Sequence, residues 1–395
     1  MLNFSECSSC AACANVCARN AISMQLDAEG FYRPVIDSEK CVRCGKCEKI
    51  CPSVHLVENP NASKAIPLTL AAYAKNERIR LESSSGGVFS VLAERILDDG
   101  GVIVGVAQLS KTHFGHVIVE EKAGLKKLRG SKYVQADVGL VYRNVKSLIK
   151  NGRKVLFSGT PCQVAGLYAA LENLASSTNL FTVDIVCHGA PSVRVFEKYV
   201  DSVEKNNSAE VLFTSFRDKR IGWNMNSMTM SLISVSGENF QISESEEKNK
   251  YLRLFIKNFC LNESCSTCRY SRLPRIADIT LGDYWGVEKC HPEMYDDKGA
   301  SVILINTDRG RALFETVKEN VNYCESDIRL ATSCQQNITG SSTEHPQRKD
   351  FLKDLEKMNF DMLYSKYCPS PSVFRKAYRF CRNTMRNIIK KHLFM

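Results

Sequence analysis

The sequence predicts a mixed α+β and α/β chain in two parts: a small cysteine-rich unit at the N terminus, then a larger α/β body with a mostly parallel sheet. Three observations carry that prediction. Eight of the 18 cysteines fall between Cys7 and Cys51 in two copies of one spacing. From Leu68 onward short apolar strands alternate with amphipathic helices, the pattern of a sheet covered on both faces. No apolar run approaches the ~18 residues of a membrane span, so the 44% hydrophobic content belongs to an interior core.

Cys7, Cys10, Cys13 and Cys17 are spaced C-x2-C-x2-C-x3-C, and Cys41, Cys44, Cys47 and Cys51 repeat that spacing. This is the bacterial ferredoxin run, in which three thiolates of one run hold a 4Fe-4S cube and the fourth crosses to the other cube. On that rule Cys7, Cys10, Cys13 and Cys51 bind one cluster, and Cys41, Cys44, Cys47 and Cys17 bind the second. Zinc fits poorly, because its sites show paired C-x2-C units separated by a longer loop. Disulfides fit worse: the chain starts Met-Leu-Asn-Phe-Ser-Glu-Cys, without the basic start and apolar stretch of a secretory signal, so a reducing cytoplasm is expected. Pro52 follows the second run as in ferredoxins, whereas Ala18 stands after the first.

Between the runs, residues 21–40 read as a hairpin turning at Asp27-Ala28-Glu29-Gly30. Residues 59–67 are rich in turn formers and read as a linker. The expected division is therefore a ferredoxin-type unit over 1–58, a body in two parts over 68–205 and 206–330, and a basic tail over 366–395.

Within the body, strands are expected at Ala71 to Ala74, Val102 to Ala107 and His116 to Glu120, and helices at Val88 to Asp98 and Val138 to Lys150. Two strand-loop-helix units follow. Val155 to Phe157 leads through Ser158-Gly159-Thr160-Pro161-Cys162 into a helix to Leu171, and Phe181 to Val186 leads through Cys187-His188-Gly189-Ala190-Pro191-Ser192 into a helix to Val203. Ligands gather at the carboxyl ends of such strands, and each loop puts a cysteine there. At Gly159-Thr160-Pro161-Cys162, Thr160 can cap the helix, Pro161 suits its first turn, and the free N–H groups favour an anion, be it thiolate, phosphate or cluster. Gly86-Gly87, opening the Val88 helix, reads as a phosphate loop or as a plain tight turn. No G-x-G-x-x-G or G-x-x-x-x-G-K-[ST] motif occurs, so a standard dinucleotide or P-loop site is unsupported. Further on, alternating strands are expected at Val211 to Phe216 and Ser227 to Val235, then a helix over Glu246 to Asn258.

Cys260, Cys265 and Cys268 match C-x4-C-x2-C, the plant-type 2Fe-2S spacing, with Cys290 available as a fourth ligand. That reading leaves Cys162 and Cys187 without a role. His188 reads either as a proton carrier near neutral pH or as a loop histidine that hydrogen-bonds its surroundings. A Cys162–His188 nucleophile pair, as in cysteine hydrolases, is disfavoured by the other cysteines.

Taken together, Ser84-Ser85-Gly86-Gly87, Arg129-Gly130-Ser131-Lys132-Tyr133, Gly159-Thr160-Pro161-Cys162-Gln163, Cys187-His188-Gly189, Ser264-Cys265-Ser266-Thr267-Cys268-Arg269-Tyr270 and Ala277-Asp278-Ile279 with Gly282-Asp283 resemble the family of coenzyme F-420 hydrogenase/dehydrogenase beta subunits. The resemblance covers residues 1 to about 310. It implies an FAD site with a 4Fe-4S cluster beside it, the cluster held by Cys162, Cys187, Cys265 and Cys268 and the flavin lying near Ser85, Gly86, Gly87, Lys132 and Tyr133. Cys260 is then a spare thiol. The implied activity is an oxidoreductase exchanging electrons between a small-molecule substrate at FAD and ferredoxin or another redox protein, with a non-catalytic electron-transfer subunit as the alternative. The substrate is not transferable from the family name.

The net charge of +10 is a property of the tail: eight Lys or Arg and no Asp or Glu lie from Lys366 on, leaving +2 for the rest. Each oxidised 4Fe-4S site with four thiolates adds about −2, so nucleic-acid binding is not expected. The segment Ser372 to Met395 reads as a basic amphipathic helix that could rest on an anionic membrane surface or an acidic partner, or as a docking helix with a solvated face.

Overall fold

A computed structural model describes residues 6–62 and 66–369. The tail helix expected over 372–395 lies outside the described residues, as does part of the linker.

In the N-terminal unit, β1 (Ile22–Leu26) and β2 (Tyr32–Ile36) pair antiparallel with Leu26 opposite Tyr32. The turn closes because Asp27 Oδ1 accepts from Phe31 N at 2.9 Å and Gly30 adopts φ +83°. A side chain at Gly30 would strike Ser192 Oγ at 2.5 Å, so the turn can press against the body only as glycine.

The body is built on an eight-stranded sheet. Its strands are β3 (Leu68–Ala74), β4 (Val102–Gln108), β5 (Phe114–Val119), β6 (Val155–Gly159), β7 (Leu180–Ile185), β11 (Ile279–Asp283), β12 (Ser301–Ile305) and β13 (Val321–Ser326), in the order β13-β3-β12-β11-β7-β6-β4-β5. The central pairs β11–β7, β7–β6 and β6–β4 are parallel; β5 on one side and β12, β3 and β13 on the other run antiparallel to their neighbours. The parallel centre thus carries antiparallel flanks. β4, β6 and β7 read as near-continuous apolar runs because helices cover both faces. Between β7 and β11 a separate antiparallel sheet forms from β8 (Ala209–Asp218), β9 (Ser227–Ser234) and β10 (Asn239–Ser245). Phe114, Phe196, Phe216 and Tyr251 pack at its junction with the main sheet, with ring centroids 5.1–6.4 Å apart.

Helices Val88–Asp98, Pro161–Leu171 and Val193–Asn207 begin at the glycine, proline and serine that the sequence marks, with Ser192 Oγ accepting from Val195 N at 3.3 Å. The expected helices over 138–150 and 246–258 are shorter, at Val141–Lys150 and Lys250–Ile256.

The linker suggests a loosely attached N-terminal unit, but the two parts interlock. Arg143 donates to Asn15 O and Ala14 O at 2.8 Å and to Cys17 O at 2.7 Å, closing the C-terminal end of the short helix Ala12–Val16. Arg33 and Asn262 both donate to Cys7 O, at 2.6 and 3.1 Å. Tyr32 N reaches Gln135 Oε1 at 2.8 Å, and Tyr270 OH reaches Pro52 O at 3.2 Å.

Arg143→Ala removes three donors from main-chain carbonyls at a mostly buried seam. Each charge-assisted bond is worth about 1.5–3 kcal/mol, and the orphaned carbonyls regain only part of it from water. Hydrogen exchange of the amides in 12–20 should speed up markedly while the body's strands stay protected. Unchanged exchange in 12–20 would show that the clamp does not hold the unit.

Candidate functional site

The cleft opens along the carboxyl edge of the four parallel strands. Val106 from β4, Gly159 from β6, Ile185 from β7 and Asp283 from β11 line it, and its volume is about 400 Å³. Strands that all end at one edge leave their following loops free to converge there.

Two of those loops carry Cys162 and Cys187, both lining the cleft. Cys265 and Cys268 come from the loop after helix Lys250–Ile256, and each of them lies within electrostatic reach of Cys162 and Cys187. The four thiols spread through the sequence therefore form one set. Burial first, and then the neighbouring thiols, push Cys162 up to about 12, Cys265 up to about 11 and Cys187 well above the ordinary thiol range. Four crowded thiols that resist ionising alone suit a metal core whose positive charge stabilises the thiolates. Thr160 Oγ1 lies 3.1 Å from Cys162 Sγ and Ala190 N donates to Cys265 Sγ at 3.3 Å. Thr160's own N–H goes to Gln163 Oε1 at 2.9 Å.

Cys260 is elsewhere. It sits fully buried among Phe259, Leu261 and the aromatic core, where burial raises it to about 12 and only the Arg348 charge opposes that rise from outside its own backbone. Cys290 lies near Tyr284, in company with Cys324 and Cys334. The plant-type spacing thus does not assemble: its first cysteine is core.

In the N-terminal unit Cys51 lies within electrostatic reach of Cys7, Cys13 within reach of Cys7, Cys51 and Cys47, and Cys47 within reach of Cys44 and Cys17. These neighbours are compatible with the crossed ligand sets. Cys10 faces Cys162 in addition to its own set. Helix Pro161–Leu171 passes so close that a Cβ at Gly166 would stand 2.9 Å from Cys10 Cβ and 3.0 Å from Cys10 O. Asn262, at the start of the Cys265 loop, reaches Cys7 O and Ser9 Oγ as well. The three thiol sets follow one another from the cleft outward, and Cys44 is exposed in the outermost.

Of the residues expected to hold a flavin, Ser85, Gly87, Lys132, Tyr133, Gly159 and Thr160 line the cleft, as does His188. Gly86 does not: it is pressed between β3 and β12, where a Cβ would meet Ala72 O at 2.4 Å, and its N–H goes to Ser301 Oγ at 2.9 Å. Lys132 turns its amine into the protein, donating to Leu128 O and Arg129 O at 2.8 and 2.9 Å, and burial lowers it to about 7. Tyr133 stacks on Phe255 at 4.7 Å, and both residues line the cleft.

Sequence reasoning missed Arg217, Asp283 and Trp285 as site residues. Asp283 and Trp285 line the cleft, and Arg217 stands behind them, 5.0 Å from the Trp285 ring and 3.3 Å from Asp283 Oδ1. Although its side chain is 3% exposed, none of its guanidinium nitrogens makes a well-directed hydrogen bond. Register shifts in β8 between Val211 and Phe213 and between Ser215 and Asp218 explain its position: Phe216 and Arg217 are both buried, which strict alternation forbids. The only sequence signal was the run Arg217-Asp218-Lys219-Arg220 at a strand end.

The Tyr133 ring in the cleft wall and the main-chain turns at Ser85 and Gly159 are compatible with a flat ring carrying phosphate, whereas the Trp285 ring is already covered by Trp223, stacked at 5.0 Å, and by Arg217. The four thiols beside the cleft fit a 4Fe-4S core.

Residues 152–330 match the C-terminal part, and residues 69–141 the N-terminal part, of the coenzyme F420 hydrogenase/dehydrogenase beta subunit; residues 6–54 match a 4Fe-4S dicluster domain. One component of the F(420)H(2) dehydrogenase of Methanosarcina mazei is 20% identical over 331 residues, which span 81% of this chain and 84% of that protein. A chain of the F420-reducing NiFe hydrogenase complex of Methanosarcina barkeri, solved as a xenon derivative, is 16% identical with a TM-score of 0.43, covering 79% of this chain and 94% of that one. The chain belongs to the family of coenzyme F420 hydrogenase/dehydrogenase beta subunits, iron-sulfur oxidoreductases, and carries a 4Fe-4S dicluster domain in front of the family's own two parts.

Proposed function

We propose that the protein takes two electrons from a small-molecule substrate at FAD in the cleft and passes them singly through three 4Fe-4S clusters to ferredoxin or another redox protein. The observation that carries this reading is adjacency: Cys162 and Cys187 line the cleft and share one site with Cys265 and Cys268, and Cys162 lies within electrostatic reach of Cys10 of the dicluster unit. FAD supplies hydride acceptance and one-electron release when bound. The chain's own part is to hold it, keep water out and order the relay. Ser85, Gly87, Lys132, Tyr133, Gly159 and Thr160 are the proposed surround of FAD, and Arg217 is a positioning residue that holds Asp283 and Trp285 from behind the cleft wall. The outermost cluster, with Cys44 and Val42 exposed beside it, is the proposed contact for the protein partner.

His188 is the proposed proton carrier. Asn258 Nδ2 donates to Thr343 O at 2.8 Å, which turns Asn258 Oδ1 toward His188 Nε2 at 2.7 Å. The proton then resides on Nε2, and Nδ1 is left to accept one. Burial lowers the ring's pKa, favouring the neutral, accepting form.

Anaerobic reconstitution should give about twelve irons per chain and retain FAD in equimolar amount. Cys162→Ser, Cys187→Ser, Cys265→Ser and Cys268→Ser should each cost about four irons and remove the same EPR signal, leaving the flavin reducible by a hydride donor but cut off from the ferredoxin clusters. Cys260→Ser should change little. Were Cys260→Ser to destroy a cluster that Cys162→Ser and Cys187→Ser left intact, this ligand set would be abandoned.

Arg217→Gln should weaken FAD binding about tenfold or more, since it removes the charge-assisted hold, worth about 1.5–3 kcal/mol, on Asp283 in the cleft wall. Full iron with no affinity for FAD in the wild type would favour a non-catalytic electron-transfer subunit. Anaerobic turnover with reduced ferredoxin, deazaflavin and NAD(P)H in parallel would then name the substrate class. With the productive donor, the oxidation rate should fall as pH drops through the lowered histidine pKa, because the protonated ring no longer accepts. That limb should vanish in His188→Gln.

A further inference from the structure

Twelve cysteines are accounted for by the three thiol sets, and three of the remainder gather at the opposite edge of the sheet. Cys290 ends the short helix Val287–Cys290, Cys324 lies in β13, and Cys334 ends the helix Ile328–Cys334; all three surround Tyr284. β13 is the edge strand, separated by β3, β12 and β11 from the strand that leads to Cys187. These thiols therefore take no part in the cleft.

His291 and Glu293 join them. One ligand atom from each of His291, Glu293 and Cys324 lies within 4.8 Å of the other two. His291 Nε2 is 2.8 Å from Ser326 Oγ, which is itself 2.5 Å from Tyr284 OH, and the imidazole stands edge-on to the Tyr284 ring at 5.8 Å. Those contacts orient the ring so that Nδ1 faces Glu293 Oε1, 3.6 Å away. A histidine with one nitrogen held by a hydrogen bond while the other faces a carboxylate has the orientation that metal-binding histidines show.

We propose that His291, Glu293 and Cys324 bind a divalent cation of the zinc class. The donor set selects it: magnesium and calcium take oxygen ligands, whereas an imidazole and a thiolate with one carboxylate suit zinc in a tetrahedral site. The fourth position is open to water or a neighbouring thiol. Because Cys324 pairs with Ala71 in the sheet while His291 and Glu293 belong to the β11–β12 connection, the ion ties the edge strand to that connection. Such a clasp shields an edge whose unpaired main-chain groups are otherwise open to another strand.

The test uses the full chain with its iron-sulfur clusters reconstituted anaerobically and its iron counted. Zinc chloride alone is added, excess is removed by desalting, and retained zinc is measured by mass spectrometry. The wild type should keep about one zinc per chain, and Cys324→Ser and His291→Gln should bind it at least about tenfold more weakly with iron unchanged. Zinc should also slow iodoacetamide labelling of Cys324, read by peptide mapping. If Cys324→Ser fails to fold, Glu293→Gln decides, since its side chain is 62% exposed. A wild type that retains no zinc at full iron content, or variants that retain as much as the wild type, would overturn the proposal.

Discussion

The contact on which the arrangement depends is the one between Gly166 and Cys10. Helix Pro161–Leu171 carries the cysteine of one thiol set in its first turn, and about one turn later it must let another set lie against its backbone. Any side chain at position 166 would meet Cys10 at 2.9–3.0 Å and Tyr142 OH at 3.1 Å. Glycine in a helix interior costs about 0.5–1 kcal/mol relative to alanine, so the helix gives up stability for proximity. The rest of the seam exists to keep that proximity: Arg143 on the first helix of the N-terminal unit, Arg33 and Asn262 on Cys7 O, and Gly30 against Ser192.

A second constraint lies beneath the cleft. β7 and β11 must hold their register closely, because the loop after one carries Cys187 and the end of the other carries Asp283. Two buried carboxylates serve this. Asp278 accepts from Thr182 N and Thr182 Oγ1 at 2.9 Å and from Thr307 Oγ1 at 2.8 Å, with Arg309 at 3.0 Å. Asp184 pairs with Arg275 at 3.0 Å, both side chains fully buried. Buried pairs of this kind add little net stability, since desolvation offsets the attraction, but removing one partner costs about 3–5 kcal/mol. Their use here is to exclude a slipped pairing, which would turn each side chain to the wrong face. The Ala-Asp-Ile stretch that stands out in the sequence is thus a sheet fastener and not a ligand.

What could be read from the sequence follows the range of the forces involved. The two cysteine runs, the hairpin turn at Gly30 and the helix starts at Gly87, Pro161 and Ser192 are local features, and each falls where expected. β11, β12 and β13 went unassigned because their partners are remote: Ile303 opposite Leu70, Cys324 opposite Ala71. Arg217 was hidden by a bulge, which alternation cannot foresee. Cys260 shows the opposite failure, a spacing that matched a metal motif while its first thiol belonged to the aromatic core. The joining of Cys162 and Cys187 with Cys265 and Cys268 came from resemblance alone, since no local rule brings together residues so far apart in the chain.

The mixed sheet explains why one edge does the chemistry. Were all eight strands parallel, eight loops would compete for the carboxyl edge. Strands β5, β12 and β13 run the other way and send their connections from the opposite edge, while β3, twice reversed, ends at the cleft edge with β4, β6, β7 and β11 and its following segment supplies Ser85 and Gly87. The same geometry sets the polarity of the proposed relay. Its substrate end lies in the cleft beside the half-buried His188. Its outer end has Cys44 exposed and Val42 61% exposed. Single electrons can cross to a partner protein there without that partner entering the cleft, so the two reactions need never share a surface.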